Sequence, residues 1–106
     1  MKKINIVKSN EDFNNIIKNG KILKNKYYII YYTNQSRDIY RIGISIPKKI
    51  GKAVIRNKIK RQIRSILYNN KEKIKKLDYI IITRNLILSL NYKEKEKELV
   101  DLLNNL

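Results

Sequence analysis

The stretch GKAVIRNKIKRQIRSIL, residues 51–67, combines a regular apolar spacing with a dense run of positive charge. Apolar residues recur every three or four positions, which is the period of one face of an α-helix. The spacing predicts a helix over residues 52–68. Its buried stripe is predicted to consist of Ile55, Ile59, Ile63, Ile66 and Leu67. Because such a stripe packs the helix on its domain, the opposite face must be exposed or must meet a partner.

The opposite face of this helix carries only cations and amides. Residues 39–71 hold ten Lys and Arg residues and no acid, in a chain whose net charge is +16. Like charges on neighbouring turns repel, so a solvated helix usually mixes Lys with Glu, as residues 93–99, KEKEKEL, do. Arg is also the cation best suited to forked recognition of phosphate. The unmixed charge therefore favours binding to a nucleic acid over the alternative, an ordinary solvated surface.

Two more helices are predicted, one on each side of this middle segment. Residues 9–20 begin with Ser9 and Asp12, which approximate a capping box. Residues 91–106 begin with a second cap pair and then place leucines on one face. The cap pair is Asn91 and Glu94, and the inward leucines are Leu99, Leu102, Leu103 and Leu106.

Three segments are rich in aromatic and β-branched residues and predict strands. They are residues 26–33, 40–46 and 78–84. In the second of them, Tyr40, Ile42, Ile44 and Ile46 are predicted to face one way, and Arg41, Gly43 and Ser45 the other. Since 106 residues are too few for two domains, the sequence predicts one α+β domain over residues 1–106.

Several function classes are disfavoured by residues that the sequence lacks. Cys and His are both absent, which removes thiolate chemistry and the commonest proton shuttle near neutral pH. Glu11 and Asp12 are explained by helix capping, while Asp38 and Asp78 stand alone. No apolar run is long enough for a signal peptide or a membrane span. We therefore expect a cytoplasmic protein that needs no membrane and has no catalytic residue or metal site of its own.

Charge and fold class leave three kinds of nucleic-acid protein as alternatives. The first is a structural RNA-binding protein of the ribosomal type. The second is a small DNA-binding protein that reads a groove with helix 52–68, although this helix lacks a compact set of base-reading side chains. The third is an autonomous nuclease, which is disfavoured because no general base or carboxylate cluster is available.

Residues 41–64, RIGISIPKKIGKAVIRNKIKRQIR, resemble the signature of the protein subunit of bacterial ribonuclease P around its RNR motif. The resemblance extends to residues 10–21, to the aromatic strand 27–32 and to residues 77–84, LDYIIITR. The positions in register are Lys48, Lys49, Gly51, Ala53, Val54, Arg56, Asn57, Lys60, Arg61 and Arg64.

The chain departs from the family pattern at three positions. Lys58 stands where the family often has the second Arg of the motif, which keeps the charge but loses the forked geometry. Pro47 replaces a small polar residue and removes a backbone donor. Ile17 replaces a common aromatic residue, which weakens one stacking surface.

The resemblance implies a protein that assists an RNA enzyme in removing the 5′ leader of precursor tRNA. One copy would bind each catalytic RNA, and Mg²⁺ would be held mainly by the RNA and the substrate. The implied fold has about four strands in a mixed sheet, in the order αβ(β)βαβα, with a left-handed βαβ crossover. The residues that would dock on the catalytic RNA are Arg56, Asn57, Lys58, Lys60, Arg61 and Arg64. The residues that would line a cleft for the single-stranded leader are Phe13, Ile17, Tyr28, Tyr31, Arg41, Ser45, Lys48, Lys49 and Lys52.

Overall fold

The structure is a computed structural model that describes residues 6–7, 9–34 and 38–106. It has the predicted α+β composition, and each predicted helix and strand is present within a few residues of its expected bounds. The helices are α1 (Asn10–Asn19), α2 (Ala53–Asn69) and α3 (Tyr92–Leu103). The strands are β1 (Lys21–Lys24), β2 (Tyr28–Thr33), β3 (Arg41–Ser45) and β4 (Asp78–Thr83).

The four strands form one mixed sheet in the order β1-β2-β4-β3. β2 is antiparallel to β1 and to β4, whereas β3 and β4 are parallel, with Arg41 opposite Asp78. The sequence did not assign residues to β1, a short edge strand that contains two lysines. Helix α2 connects the parallel neighbours β3 and β4, and the left hand of this connection stays a prediction.

One face of the sheet carries the larger core, against α2 and α3. Four residues of the predicted α2 stripe are buried there, namely Ile59, Ile63, Ile66 and Leu67. The prediction for Ile55 is wrong, because this side chain is 42% exposed. It lies in the first turn of α2 and packs against Gly51, so it contacts the turn before the helix.

The other face of the sheet is covered by α1 and carries a much smaller core of Val7, Ile16 and Ile80. Phe13 of α1 and Tyr31 of β2 pack around these three residues and are only partly buried. As the alternation in β3 predicted, Arg41 and Gly43 point toward this face, where they contact α1. The sheet therefore has one fully packed face and one that is partly open.

Both predicted helix caps form. The Ser9 hydroxyl accepts a hydrogen bond of 3.0 Å from the Asp12 amide, while the Asp12 carboxylate turns away to Arg41. Asn91 and Glu94 form the complete reciprocal box. Of the inward leucines, Leu99, Leu102 and Leu103 are buried and Leu106 is partly buried. Among the described residues, no helix is long and apolar enough to cross a membrane.

Candidate nucleic-acid interface

The outward face of α2 presents the six side chains that were predicted to dock on RNA. Four of them are exposed and two, Arg56 and Lys60, are partly buried. Arg56 donates a hydrogen bond of 3.1 Å from Nε to the carbonyl of Gly51, which fixes the guanidinium over the turn that begins the helix. None of the six forms an ion pair within the described part of the chain. The exposed residues are Asn57, Lys58, Arg61 and Arg64.

A cleft of about 80 Å³ lies where α2 approaches the open face of the sheet. Its walls combine Lys60 and Arg64 of α2 with Phe13 of α1 and Gly43 of β3. Phe13, which was predicted for the leader, therefore meets Lys60 and Arg64, which were predicted for docking, at a single site. The remaining lining residues are Ile6, Val7, Ile42 and Ile44.

Gly43 allows the close approach of Phe13 to the sheet. A Cβ atom at this position would lie 3.1 Å from Phe13 Cε2 and 2.7 Å from Ile80 Cδ1, which are distances below ordinary van der Waals contact. The absence of a side chain thus lets the aromatic ring pack directly over the backbone of β3. Ile17 and Tyr31 extend the same partly buried surface along α1 and β2.

Tyr28 was predicted to line this cleft, and that prediction is wrong. The side chain is fully buried on the opposite face, where its hydroxyl donates a hydrogen bond of 3.0 Å to the carbonyl of Lys95 in α3. Burial raises the pKa of the Tyr28 hydroxyl, and the nearby charge of Glu98 raises this pKa further. Because Tyr28 and Tyr31 are three residues apart in one strand, their side chains must point to opposite faces.

More basic residues follow the end of β3 in the chain. Ser45 is partly buried at the end of the strand, and Lys48, Lys49 and Lys52 are exposed. Lys49 lines a second groove, of about 380 Å³, whose existence the sequence did not predict. The other side chains of this groove are Lys26, Ile29, Pro47, Ile82, Thr83, Arg84, Asn85 and Leu86.

Arg41 was predicted to face the leader, but its guanidinium is occupied by two carboxylates. Nε and Nη2 donate to Oδ1 and Oδ2 of Asp78 at 3.0 and 2.8 Å, and Nη1 donates to Asp12 at 3.2 Å. The Arg41 side chain is 13% exposed. The hydrogen bonds that Arg41 donates to Asp78 raise the pKa of Arg41, and Asp12 raises it further. In the structure the guanidinium is therefore held by two carboxylates, and the place of Arg41 in the leader cleft stays a prediction.

The model of the Ribonuclease P family matches residues 1–106, the whole chain. The chain belongs to the ribonuclease P protein family.

Individual relatives agree with this assignment. The ribonuclease P protein component of Streptococcus agalactiae is 42% identical over 103 residues, which cover 97% of this chain and 94% of that protein. The structure of the RNase P protein of Thermotoga maritima has a TM-score of 0.87 and 32% identity, and the match covers 94% of this chain and 96% of that one. A structure of a Staphylococcus aureus RNase P protein mutant, described as defective in mRNA degradation activity, has a TM-score of 0.92 and 36% identity; the match covers 97% of this chain and 88% of that one.

Membership of the ribonuclease P protein family makes this chain the RNA-binding protein component of an endoribonuclease. The comparisons do not favour the alternative of a ribosomal-type structural protein. The catalytic RNA of ribonuclease P is accordingly a partner of the chain. The basic face of α2 is the largest group of exposed cations on one helix that the described residues offer to such a partner.

Replacing Arg61 with alanine tests whether this face contacts RNA phosphates. We expect weaker binding to the catalytic RNA and a decrease of about 0.7–0.9 in the slope of log K against log salt, the share of one phosphate contact. Binding is measured across a range of salt concentrations, together with thermal melts to confirm folding. Lys97→Ala, an equal charge change on α3, is the matched control, because Lys97 is exposed and pairs with Asp101. Equal decreases in slope for both variants would show that only the net charge matters.

Proposed function

We propose that the chain binds the single-stranded 5′ leader of precursor tRNA on the open face of its sheet while α2 holds the catalytic RNA. The observation that carries this proposal is the cleft in which Phe13 and Gly43 meet Lys60 and Arg64. A site for unpaired nucleotides needs aromatic faces for stacking beside cations that follow the backbone. Both of these features lie in the walls of the cleft.

Tyr31 and the second groove support a longer path for the leader. Tyr31 is partly buried on the same face as Phe13, and Lys49 and Arg84 line the groove at the far end of that face. Nucleotides could stack on the aromatic rings and place their phosphates against the lysines and arginines on both sides. Such contacts do not distinguish one base from another, which suits an enzyme that must accept many precursors.

We also propose that the cleavage centre lies in the catalytic RNA and that Mg²⁺ is held mainly by the RNA and the substrate. Among the described residues, no three His, Cys, Asp or Glu side chains come together in a way that could hold a metal ion. Asp12 and Asp78 are both paired with Arg41. The contribution of the protein is then to bind the substrate and the catalytic RNA together.

The mRNA degradation named for the Staphylococcus aureus protein is a second activity to consider for this chain. Hydrolysis of a phosphodiester needs a general base or a metal site. The described residues bring together no carboxylate cluster that could supply one. We therefore propose no cleavage by the protein alone. We further propose, as the family resemblance implies, that one protein binds each catalytic RNA, and that the protein acts in the cytoplasm.

Tyr31→Ala tests leader binding directly. Loss of a stacking ring should weaken binding of leader-bearing precursor to the reconstituted enzyme by about 1–3 kcal/mol. Binding of mature tRNA, which has no leader, should stay nearly unchanged. Affinities for both RNAs are measured after a thermal melt has shown that the variant folds.

Tyr32→Ala is the matched control for this experiment. Tyr32 is the next residue of β2, is equally partly buried, and packs against the core of the other face. We expect the ratio of precursor to mature affinity to be preserved in this variant. Equal losses for precursor and mature tRNA in a folded Tyr31→Ala protein would show that Tyr31 does not contact the leader.

A further inference from the structure

Arg41 joins three separate elements of the fold at one end of the sheet. It is the first residue of β3, Asp78 is the first residue of β4, and Asp12 lies in the first turn of α1. The Arg41–Asp78 contact is two-pronged and buried, because Asp78 is only 1% exposed, whereas Asp12 is 44% exposed. The guanidinium is therefore anchored on the sheet and extends its third contact to the helix.

Helix α1 packs on the sheet through a small apolar core, in which its Phe13 and Ile17 are only partly buried. Ile16 is its single buried residue among those described, and the small core beneath it contains only Val7 and Ile80 besides. By contrast, α2 alone buries four residues in the larger core. The contact from Arg41 to Asp12 adds a polar attachment at the first turn of α1 to this small core.

The residue after Asp12 is Phe13, whose ring packs over Gly43 and lines the cleft. A shift of the first turn of α1 would move this ring relative to the sheet. An open polar groove of about 350 Å³ runs along α1 from Asp12 to Asn19, between the helix and the sheet. Loss of the contact with Arg41 would remove the polar attachment on this side of the first turn.

We infer that Arg41 is a positioning residue for leader binding: by bridging Asp78 and Asp12 it fixes α1 over the sheet and holds Phe13 at the cleft. This inference rests on the proposed binding of the leader in that cleft. It differs from the role of a phosphate ligand, in which the guanidinium itself would contact the RNA. The two roles predict opposite effects when Asp12 is removed.

Asp12→Ala separates these roles without leaving a buried charge unpaired, because Arg41 keeps its contacts with Asp78. If Arg41 positions α1, the ratio of precursor to mature tRNA affinity should decrease by about two- to fivefold, the range for a partly exposed ion pair. If Arg41 were a phosphate ligand, loss of the competing carboxylate would strengthen precursor binding and steepen its dependence on salt. Both affinities are measured with the reconstituted holoenzyme at several salt concentrations.

Glu11→Ala is the matched control, because it removes the same charge from the same turn of α1. Glu11 forms no ion pair with a described residue, so its removal changes the charge near the helix terminus without breaking the bridge. We expect its precursor to mature ratio to change by less than about 1.5-fold. Asp12→Ala is therefore always compared with Glu11→Ala and with the unaltered protein.

Hydrogen exchange of the α1 amides provides a readout that does not depend on the leader. In the free protein, exchange at Ile16 and Ile17 should be about two- to fivefold faster in Asp12→Ala than in Glu11→Ala, because local opening is easier without the bridge. Unchanged exchange would overturn the inference. Faster exchange with tighter, more salt-dependent precursor binding would also overturn it and identify Arg41 as a phosphate ligand.

A third outcome distinguishes failure of this inference from failure of the proposed function. Faster exchange with an unchanged precursor to mature ratio would show that the bridge holds α1 but does not serve leader binding, and the inference would fall. The Tyr31→Ala variant then tests the proposed function. If Tyr31→Ala lowers the ratio, the leader still binds on the open face of the sheet; if it does not, the proposed function fails as well.

Discussion

Ile63→Ala is expected to lower the free energy of unfolding by about 2–5 kcal/mol, the usual cost of truncating a fully buried Ile. Ile63 is 0% exposed and lies in the middle of α2, within the larger core that contains Ile59 and Tyr79. For a domain of this size, whose total stability is about 5–15 kcal/mol, such a loss should lower the melting temperature by about 10 °C or more. Denaturant and thermal unfolding measure the effect.

Ile55→Ala is the matched control on the same helix. Both residues follow the same apolar period, but Ile55 is 42% exposed, so its truncation should change stability by less than about 0.5 kcal/mol. The folded Ile63→Ala protein, assayed well below its melting temperature, should bind RNA with the same salt dependence as the unaltered protein. Equal losses of stability for the two variants would mean that the larger core does not hold α2 in the way described.

The contrast between Ile55 and Ile63 shows what periodicity can predict. The period of 3.6 residues identifies the face of a helix that turns toward the domain. It does not show how far along the helix the rest of the domain extends. The first turn of α2 packs on the turn at Gly51, and only the later turns lie on the sheet.

The alternation of side chains along a strand predicts which residues share a face of the sheet. Alternation in β3 correctly placed Arg41 and Gly43 on one face and Ile42 on the other. The same rule, applied to Tyr28 and Tyr31, would have shown that only one of them could line the cleft. The family resemblance assigned Tyr28 to the cleft, whereas the strand period places its side chain on the face opposite Tyr31.

The partners of Arg41 could not be predicted from sequence. Asp12 is 29 residues away and Asp78 is 37 residues away, on two different elements. Their proximity depends on the parallel register of β3 with β4 and on the position of α1 over the sheet. The second groove has the same origin, because Lys26, Lys49 and Arg84 come together only when the ends of three strands meet.

Purified protein without RNA is expected to release no leader from precursor tRNA at any Mg²⁺ concentration. The sequence contains no His, and the described residues form no cluster of metal-binding side chains. Enzymes that cleave phosphodiesters accelerate a very slow reaction by many orders of magnitude, which stacking and phosphate contacts alone do not provide. We therefore expect the whole rate of site-specific cleavage to depend on the catalytic RNA.

The measurement compares three preparations: the protein, the catalytic RNA, and the two together. The first is the protein from which nucleic acid has been removed, the second is the same protein reconstituted with the catalytic RNA, and the third is that RNA alone. A 5′-labelled precursor tRNA and an unstructured mRNA serve as substrates, each titrated with Mg²⁺. We expect leader release at the mature 5′ end only where the catalytic RNA is present, and faster release with the protein at low Mg²⁺ concentrations, because the cations of α2 reduce repulsion between the two RNAs. Cleavage of either substrate by the RNA-free protein would place a catalytic site in the chain itself and would overturn the assignment of chemistry to the RNA.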